Sequence, residues 1–147
     1  MIAADSNTLI NCLNGSKNIP FKELVVTDDL YKEYLVAEEK HNAKINGVIP
    51  ISKIEGYDEA FYLKEYARVI NCYPGISFVR MSGFADISIV ALVSCIVTNF
   101  GKTQKQMTLG FNDDKKLHVY TSDGNLKKML KREFDGLIEI KEYSDLQ

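Results

Sequence analysis

The stretch Met1-Ile2-Ala3-Ala4-Asp5-Ser6-Asn7-Thr8-Leu9-Ile10-Asn11-Cys12-Leu13-Asn14-Gly15 changes its period in the middle. Small and apolar residues run up to an acid; beyond it Leu9, Ile10 and Leu13 recur at helical spacing until Asn14-Gly15 supplies a stop. This predicts a short buried strand feeding directly into a helix. The signature returns at Leu24-Val25-Val26, a second apolar run. There Thr27 and Asp28 are capping residues, and Leu30, Tyr34, Ala37 and His41 continue the helical pattern. Near the end it returns again: Leu117 to Tyr120 predicts a strand, Asp123 to Phe134 a helix, and Leu137 to Ile140 a last strand.

The middle of the chain supplies the cover. Tyr57 to Cys72 carries Phe61, Tyr62, Tyr66, Val69 and Ile70 on one side and ends before Pro74-Gly75, so it predicts a helix. Phe84 to Val97 is apolar nearly all round, as a helix covered on several sides must be, and Asn99-Phe100-Gly101 is expected to close it. The alternation of Met107, Leu109 and Phe111 before the turn-forming Asn112-Asp113-Asp114 predicts a hairpin-like insertion near 98–116. Strands alternating with helices require crossovers, and crossovers between parallel strands put helices on both faces of the sheet. The expected fold is therefore a doubly wound, three-layer α/β/α domain spanning residues 1–147.

Composition agrees and excludes little more. Hydrophobic residues at 46% and charged residues at 26% suit a globular chain of 147 residues with one core. The formal charge of −2 removes any global electrostatic case for nucleic acid, so such binding would need a local basic patch. Cys12, Cys72 and Cys95 are odd in number, widely spaced and set in apolar patterns, which predicts buried free thiols and a reducing, cytoplasmic setting. The N-terminus lacks the pattern of a signal peptide, and the apolar run Ile87 to Val97 is too short for a bilayer span, so no membrane partner is expected.

In an open α/β sheet, ligands bind beyond the carboxyl ends of the strands where strand order reverses. Asp5 ends the first strand and Asp123 lies just beyond the strand containing Val119 and Tyr120; each directly precedes a helix. Asp86 falls in the first turn of the apolar helix, where unpaired amides and the macrodipole favour a negative charge. Glu33, three residues after Leu30 and four before Ala37, lies beside the inward stripe of its helix. Each acid also has a simpler role open to it: helix capping for Asp5 and Asp123, dipole complementation for Asp86, a solvated face for Glu33. Four converging carboxylates without a cationic partner would repel one another unless a divalent cation offset their charge. All-oxygen donors favour Mg²⁺ or Mn²⁺, ions that bind phosphate oxygens jointly with carboxylates and so point to a phosphodiester substrate.

These residues resemble the PIN-domain family. The opening Ile2-Ala3-Ala4-Asp5-Ser6-Asn7 looks like that family's strand–Asp–polar start, and Glu33 like its helical Glu. Asp86-Ile87-Ser88-Ile89 looks like its helix-leading Asp, and Thr121-Ser122-Asp123 like its Thr-x-Asp. The resemblance covers nearly the whole chain through the ordered set of four acids, with the third and fourth farther apart than in compact toxin-type members. It implies strand order 3-2-1-4-5 and a metal-dependent endoribonuclease. In that reading Asp5, Asp86 and Asp123 are metal ligands, Glu33 acts through water, and Asn7 and Thr121 support them by hydrogen bonds. It further implies an RNA substrate, a homodimer, and either a VapC-like toxin held by a cognate antitoxin or an RNA-processing enzyme.

Lys127, Lys128, Lys131 and Arg132, on the helix after Asp123, are the candidate RNA-backbone contacts, with a solvated helix face as the alternative. Lys102, Lys105, Lys115 and Lys116 could extend that surface. His41 and His118 share no motif, and the tyrosines fit packing stripes better than base-stacking positions. The competing function is a PIN-like interaction module that keeps the fold and hydrolyses nothing.

Overall fold

The structure is a computed structural model that describes residues 2–15, 23–42, 44–74, 83–106 and 116–145. Five parallel strands form one sheet in the order β3-β2-β1-β4-β5. They are β1 (Ile2–Ala4), β2 (Leu24–Val26), β3 (Val48–Pro50), β4 (Leu117–Tyr120) and β5 (Ile138–Lys141). The helices are α1 (Ser6–Asn14), α2 (Asp28–His41), α3 (Glu59–Cys72), α4 (Gly83–Gln106) and α5 (Gly124–Phe134). The expected fold class and strand order both hold.

Two apolar layers flank the sheet because successive residues of a strand point to opposite faces. Ala3, Val25 and Val119 look toward Val69 of α3, Ile87, Val90 and Val93 of α4, and Leu126 and Leu130 of α5. Ile2, Ala4, Leu24, Val26 and Tyr120 look the other way, toward Leu9 and Leu13 of α1 and Leu30 and Tyr34 of α2. Crossovers running from β1 out to β3 leave α1 and α2 on one face; reversal at β4 leaves α5 on the other. Between Ile87 and Ile96 every residue of α4 except Ser88 is buried, which accounts for its lack of a polar face.

Local chemistry sets most element starts. Thr27 caps α2 by accepting from the Leu30 amide at 3.2 Å, and Asp58 caps α3 by accepting from the Phe61 amide at 3.3 Å. Asn42 ends α2 with a left-handed φ of 48°, a conformation Asn tolerates better than other side chains. The Tyr34 hydroxyl fastens the following loop, donating to the Ile45 carbonyl at 3.0 Å and accepting from its amide at 2.9 Å.

Two expectations need correction, and one strand was missed. α4 does not stop at Asn99-Phe100-Gly101 but runs on to Gln106, so the part of the expected insertion before residue 107 is helical; residues 107–115, with the expected hairpin turn, lie outside the described residues. Packing of the long apolar face outweighs the weak stop signal of Asn-Phe-Gly. Strand β3, three residues ending in Pro50, carries only the two β-branched residues Val48 and Ile49 as a local signal; the missing amide of Pro50 is tolerated at a sheet edge. Of the three free cysteines, Cys12 and Cys95 are buried, whereas Cys72, at the end of α3, is exposed.

Candidate active site

Asp5 stands where β1 becomes α1. Its backbone is extended, its amide donates to the Tyr120 carbonyl of β4 at 3.2 Å, and its Oδ1 caps α1 by accepting from the Thr8 amide at 2.9 Å. Asp5 is only 7% exposed. Its other oxygen, Oδ2, accepts from the Thr121 hydroxyl at 2.5 Å, the range of a charge-assisted O–H···O⁻ bond.

Thr121 is fully buried just past β4, held there by its amide donating to the Lys141 carbonyl at 2.9 Å. The same Oγ1 that donates to Asp5 accepts from the Asp123 amide at 3.1 Å. Asp123 in turn caps α5, its Oδ1 accepting from the amides of Asn125 and Leu126 at 2.8 and 3.0 Å. One hydroxyl thus ties together two capping aspartates at the carboxyl ends of adjacent strands. This is the switch point of the sheet: α1 leaves β1 for one face and α5 leaves β4 for the other.

Asp86 is buried in the first turn of α4, at 6% exposure. Beside it opens a cleft of about 580 Å³ between α2, α3 and the start of α4. Its lining includes Ser6, the residue after Asp5, and Ala85, the residue before Asp86. Glu33, exposed on α2, forms part of one wall with Asp29; Tyr62 and Tyr66 of α3 form another. Burial raises the hydroxyl pKa of both tyrosines, and the Asp29 carboxylate pushes in the same direction, so both stay protonated at neutral pH.

The four expected acids are not brought into one cluster. Thr121 bonds the Asp5 carboxylate and the Asp123 amide, while Glu33 lines the cleft; Asp5, Asp86 and Asp123 are not part of the cleft lining, which the chain neighbours Ser6 and Ala85 reach. Among the described residues, no three His, Cys, Asp or Glu side chains gather into a group that could hold a metal ion. A small hard cation asks for less than such a cage. Mg²⁺ keeps several waters and uses one or two carboxylates with a substrate phosphate. After its two hydrogen bonds Asp5 retains lone pairs on both oxygens, and it has no Lys or Arg partner among the described residues. The donor chemistry at Asp5 suits that kind of ion.

The supporting residues divide. Thr121 hydrogen-bonds the Asp5 carboxylate and the Asp123 backbone amide, whereas Asn7 is exposed and, among the described residues, its side chain bonds none of the acids. On α5, Leu126, Met129, Leu130 and Phe134 face the core and the cations face outward. Lys127 is ion-paired with Glu142, and the Arg132 guanidinium lies 5.5 Å from the centre of the Tyr73 ring. Lys131 is eight residues past Asp123, roughly 12 Å along the helix axis and toward the opposite edge of the sheet. Lys128, exposed in the second turn, is the cation of this set that is both near Asp123 and without an ion pair among the described residues. Lys116 is half-buried before β4; Lys115 lies outside the described residues, as do the side chains of Lys102 and Lys105.

Sequence patterning missed Ser6 and Asp29 as cleft residues, and it read Tyr62 and Tyr66 as packing alone. Tyr62 and Tyr66 do pack against the core, with rings 6.3 Å apart, while also facing the cleft. An i, i+4 tyrosine pair next to an acid-bearing helix start was the available signal. No protein-family model, curated protein or solved structure matches this chain.

Proposed function

We propose that the protein is a Mg²⁺- or Mn²⁺-dependent endoribonuclease that hydrolyses RNA phosphodiester bonds at the carboxyl edge of β1 and β4. The observation that carries this reading is the Asp5–Thr121–Asp123 linkage, two aspartates coupled through one buried hydroxyl at the sheet's switch point and beside an open cleft. The order of acids along the chain, which resembles that of PIN domains, supports it.

In this reading Asp5 and Asp86 would hold the cation, and Asp123 would supply a further oxygen from the α5 cap. A bound ion would make a coordinated water more acidic and would offset charge on the leaving oxygen. Thr121 orients Asp5 by fixing Oδ2, and Asp123 by fixing its amide. Glu33, one of two carboxylates lining the cleft, would orient the attacking water and accept its proton. The departing ribose oxygen takes a proton from solvent. Toxin and housekeeping roles differ in one outcome: expression of a toxin arrests growth unless its antitoxin is supplied.

A second reading has its own support. Because the described acids form no three-member group, a PIN-like interaction module without hydrolytic activity also fits. Calorimetric titration with Mn²⁺ separates the two, using wild type and an Asp5→Asn/Asp86→Asn double variant, with cleavage of a structured RNA pool followed in parallel. Binding and cleavage lost together in a still-folded variant support the nuclease. A pure wild-type protein that binds no divalent ion and cuts no RNA leaves the interaction module.

A further inference from the structure

The wall opposite Glu33 has a chemistry that phosphodiester hydrolysis does not use. Tyr62 and Tyr66, one turn apart on α3, present aromatic rings to the cleft, with exposed Leu63 between them. Both rings are anchored in the core, so they lose little freedom when something stacks on them. Asp29 lines the same cleft from the first turn of α2; exposed and bonded to no side chain among the described residues, it can accept hydrogen bonds and donate none when ionised. A planar partner with an amino group at its edge matches both features. Nucleobases stack on aromatic side chains whatever their identity, and a carboxylate then discriminates by accepting from an exocyclic amine, as Asp and Glu do from cytosine.

We propose that Tyr62, Tyr66 and Asp29 form a nucleobase subsite that takes an unpaired base next to the cut phosphodiester and prefers the amino-bearing bases, adenine, cytosine and guanine, over uracil. This rests on the nuclease reading, in which a phosphodiester cut at the neighbouring carboxyl edge of the sheet brings the adjacent base to this cleft. A base held in a duplex cannot reach the rings without leaving its stack, so the subsite selects single strands.

The test separates this proposal from the nuclease reading by measuring binding without cleavage. Fluorescein-labelled hexamers of rA, rC and rU are titrated by anisotropy with the full chain in Ca²⁺, and cleavage is assayed separately in Mn²⁺. Wild type should bind rC and rA more tightly than rU. Tyr66→Ala should weaken binding of all three about 5- to 150-fold, the range of one lost base stack, while Tyr66→Phe retains it. Asp29→Asn, a surface change that should leave the fold intact, should erase the preference over rU; it decides the matter if Tyr66→Ala does not fold. Equal binding of rC, rA and rU by wild type, or tighter binding of a short arginine-rich peptide than of any hexamer, overturns the subsite. Cleavage with Tyr66-independent binding overturns the subsite and keeps the nuclease. Base-selective binding without cleavage in any divalent ion overturns the nuclease and, with it, the placing of the base beside a cut phosphodiester, and keeps only base binding by Tyr62, Tyr66 and Asp29.

Discussion

The hydroxyl of Thr121 donates to Oδ2 of Asp5 at 2.5 Å, joining residues 116 positions apart in the chain. The bond closes a short path, from the Thr8 amide through Asp5 and Thr121 to the Asp123 amide, in which each group has a stated partner. Since Thr121 is fully buried, no water can stand in for it without rearrangement.

Replacing Thr121 by Val keeps the shape and removes both bonds, leaving a buried carboxylate oxygen and an amide without a partner. A loss of about 2–3 kcal/mol is expected, which for a domain of this size lowers Tm by roughly 5–10 °C. Thr121→Ser keeps the hydroxyl and should stay within about 1 kcal/mol of wild type. Thermal melts of the two variants decide; equal Tm values would remove the linkage from the stability of the fold.

Asp5→Asn preserves a capping side chain, because Asn caps helices as well as Asp, so α1 should persist with unchanged far-ultraviolet dichroism. What it removes is the charge. Cleavage and Mn²⁺ binding should both fall at least 100-fold, and chelating the metal from wild type should stop cleavage while leaving the fold in place. A variant that still cleaves at the wild-type rate would end the assignment of Asp5.

The Tyr34 hydroxyl, buried against the Ile45 backbone, has its pKa pushed up to about 12, with desolvation the largest cause. The protonated form is favoured on folding. The stabilisation is therefore complete below pH 10 and is lost as pH climbs from 10 through 12, at up to about 1.4 kcal/mol per pH unit. In denaturant titrations at several pH values, the stability difference between wild type and Tyr34→Phe should be constant from pH 7 to 9 and shrink above 10. A difference that stays constant to pH 12 would contradict the raised pKa.

Among the cations of α5, Lys128 should matter to RNA and Arg132 should not. Lys128→Ala should weaken binding of a single-stranded oligonucleotide and reduce the slope of log K against log salt by about 0.7, the share of one phosphate contact. Arg132→Ala, which only releases the Tyr73 ring, should leave that slope unchanged. The reverse order would place the RNA path at the opposite edge of the sheet.

Legibility followed the range of the interactions. β1, β2 and β4 were readable because each is a run of apolar residues next to a capping side chain, so strand end and helix start confirm one another within five residues. β3 was not, since Val48-Ile49-Pro50 becomes a strand only by pairing with Leu24, Val25 and Val26. The far end of α4 was misjudged for a related reason: Asn99-Phe100-Gly101 is a weak local stop in a helix whose preceding turns are buried.

By itself the sequence determined the class of the fold and the places of Asp5 and Asp123, because hydrophobic period and capping chemistry act over a few residues. It could not determine which acids share a partner. That Thr121 bonds Asp5 and Asp123, that Glu33 faces Tyr62 and Tyr66 across a cleft, and that Lys127 pairs with Glu142 were decided by the tertiary structure. Those relations depend on strand order and helix docking, which bring distant residues within hydrogen-bond reach only after the sheet has formed.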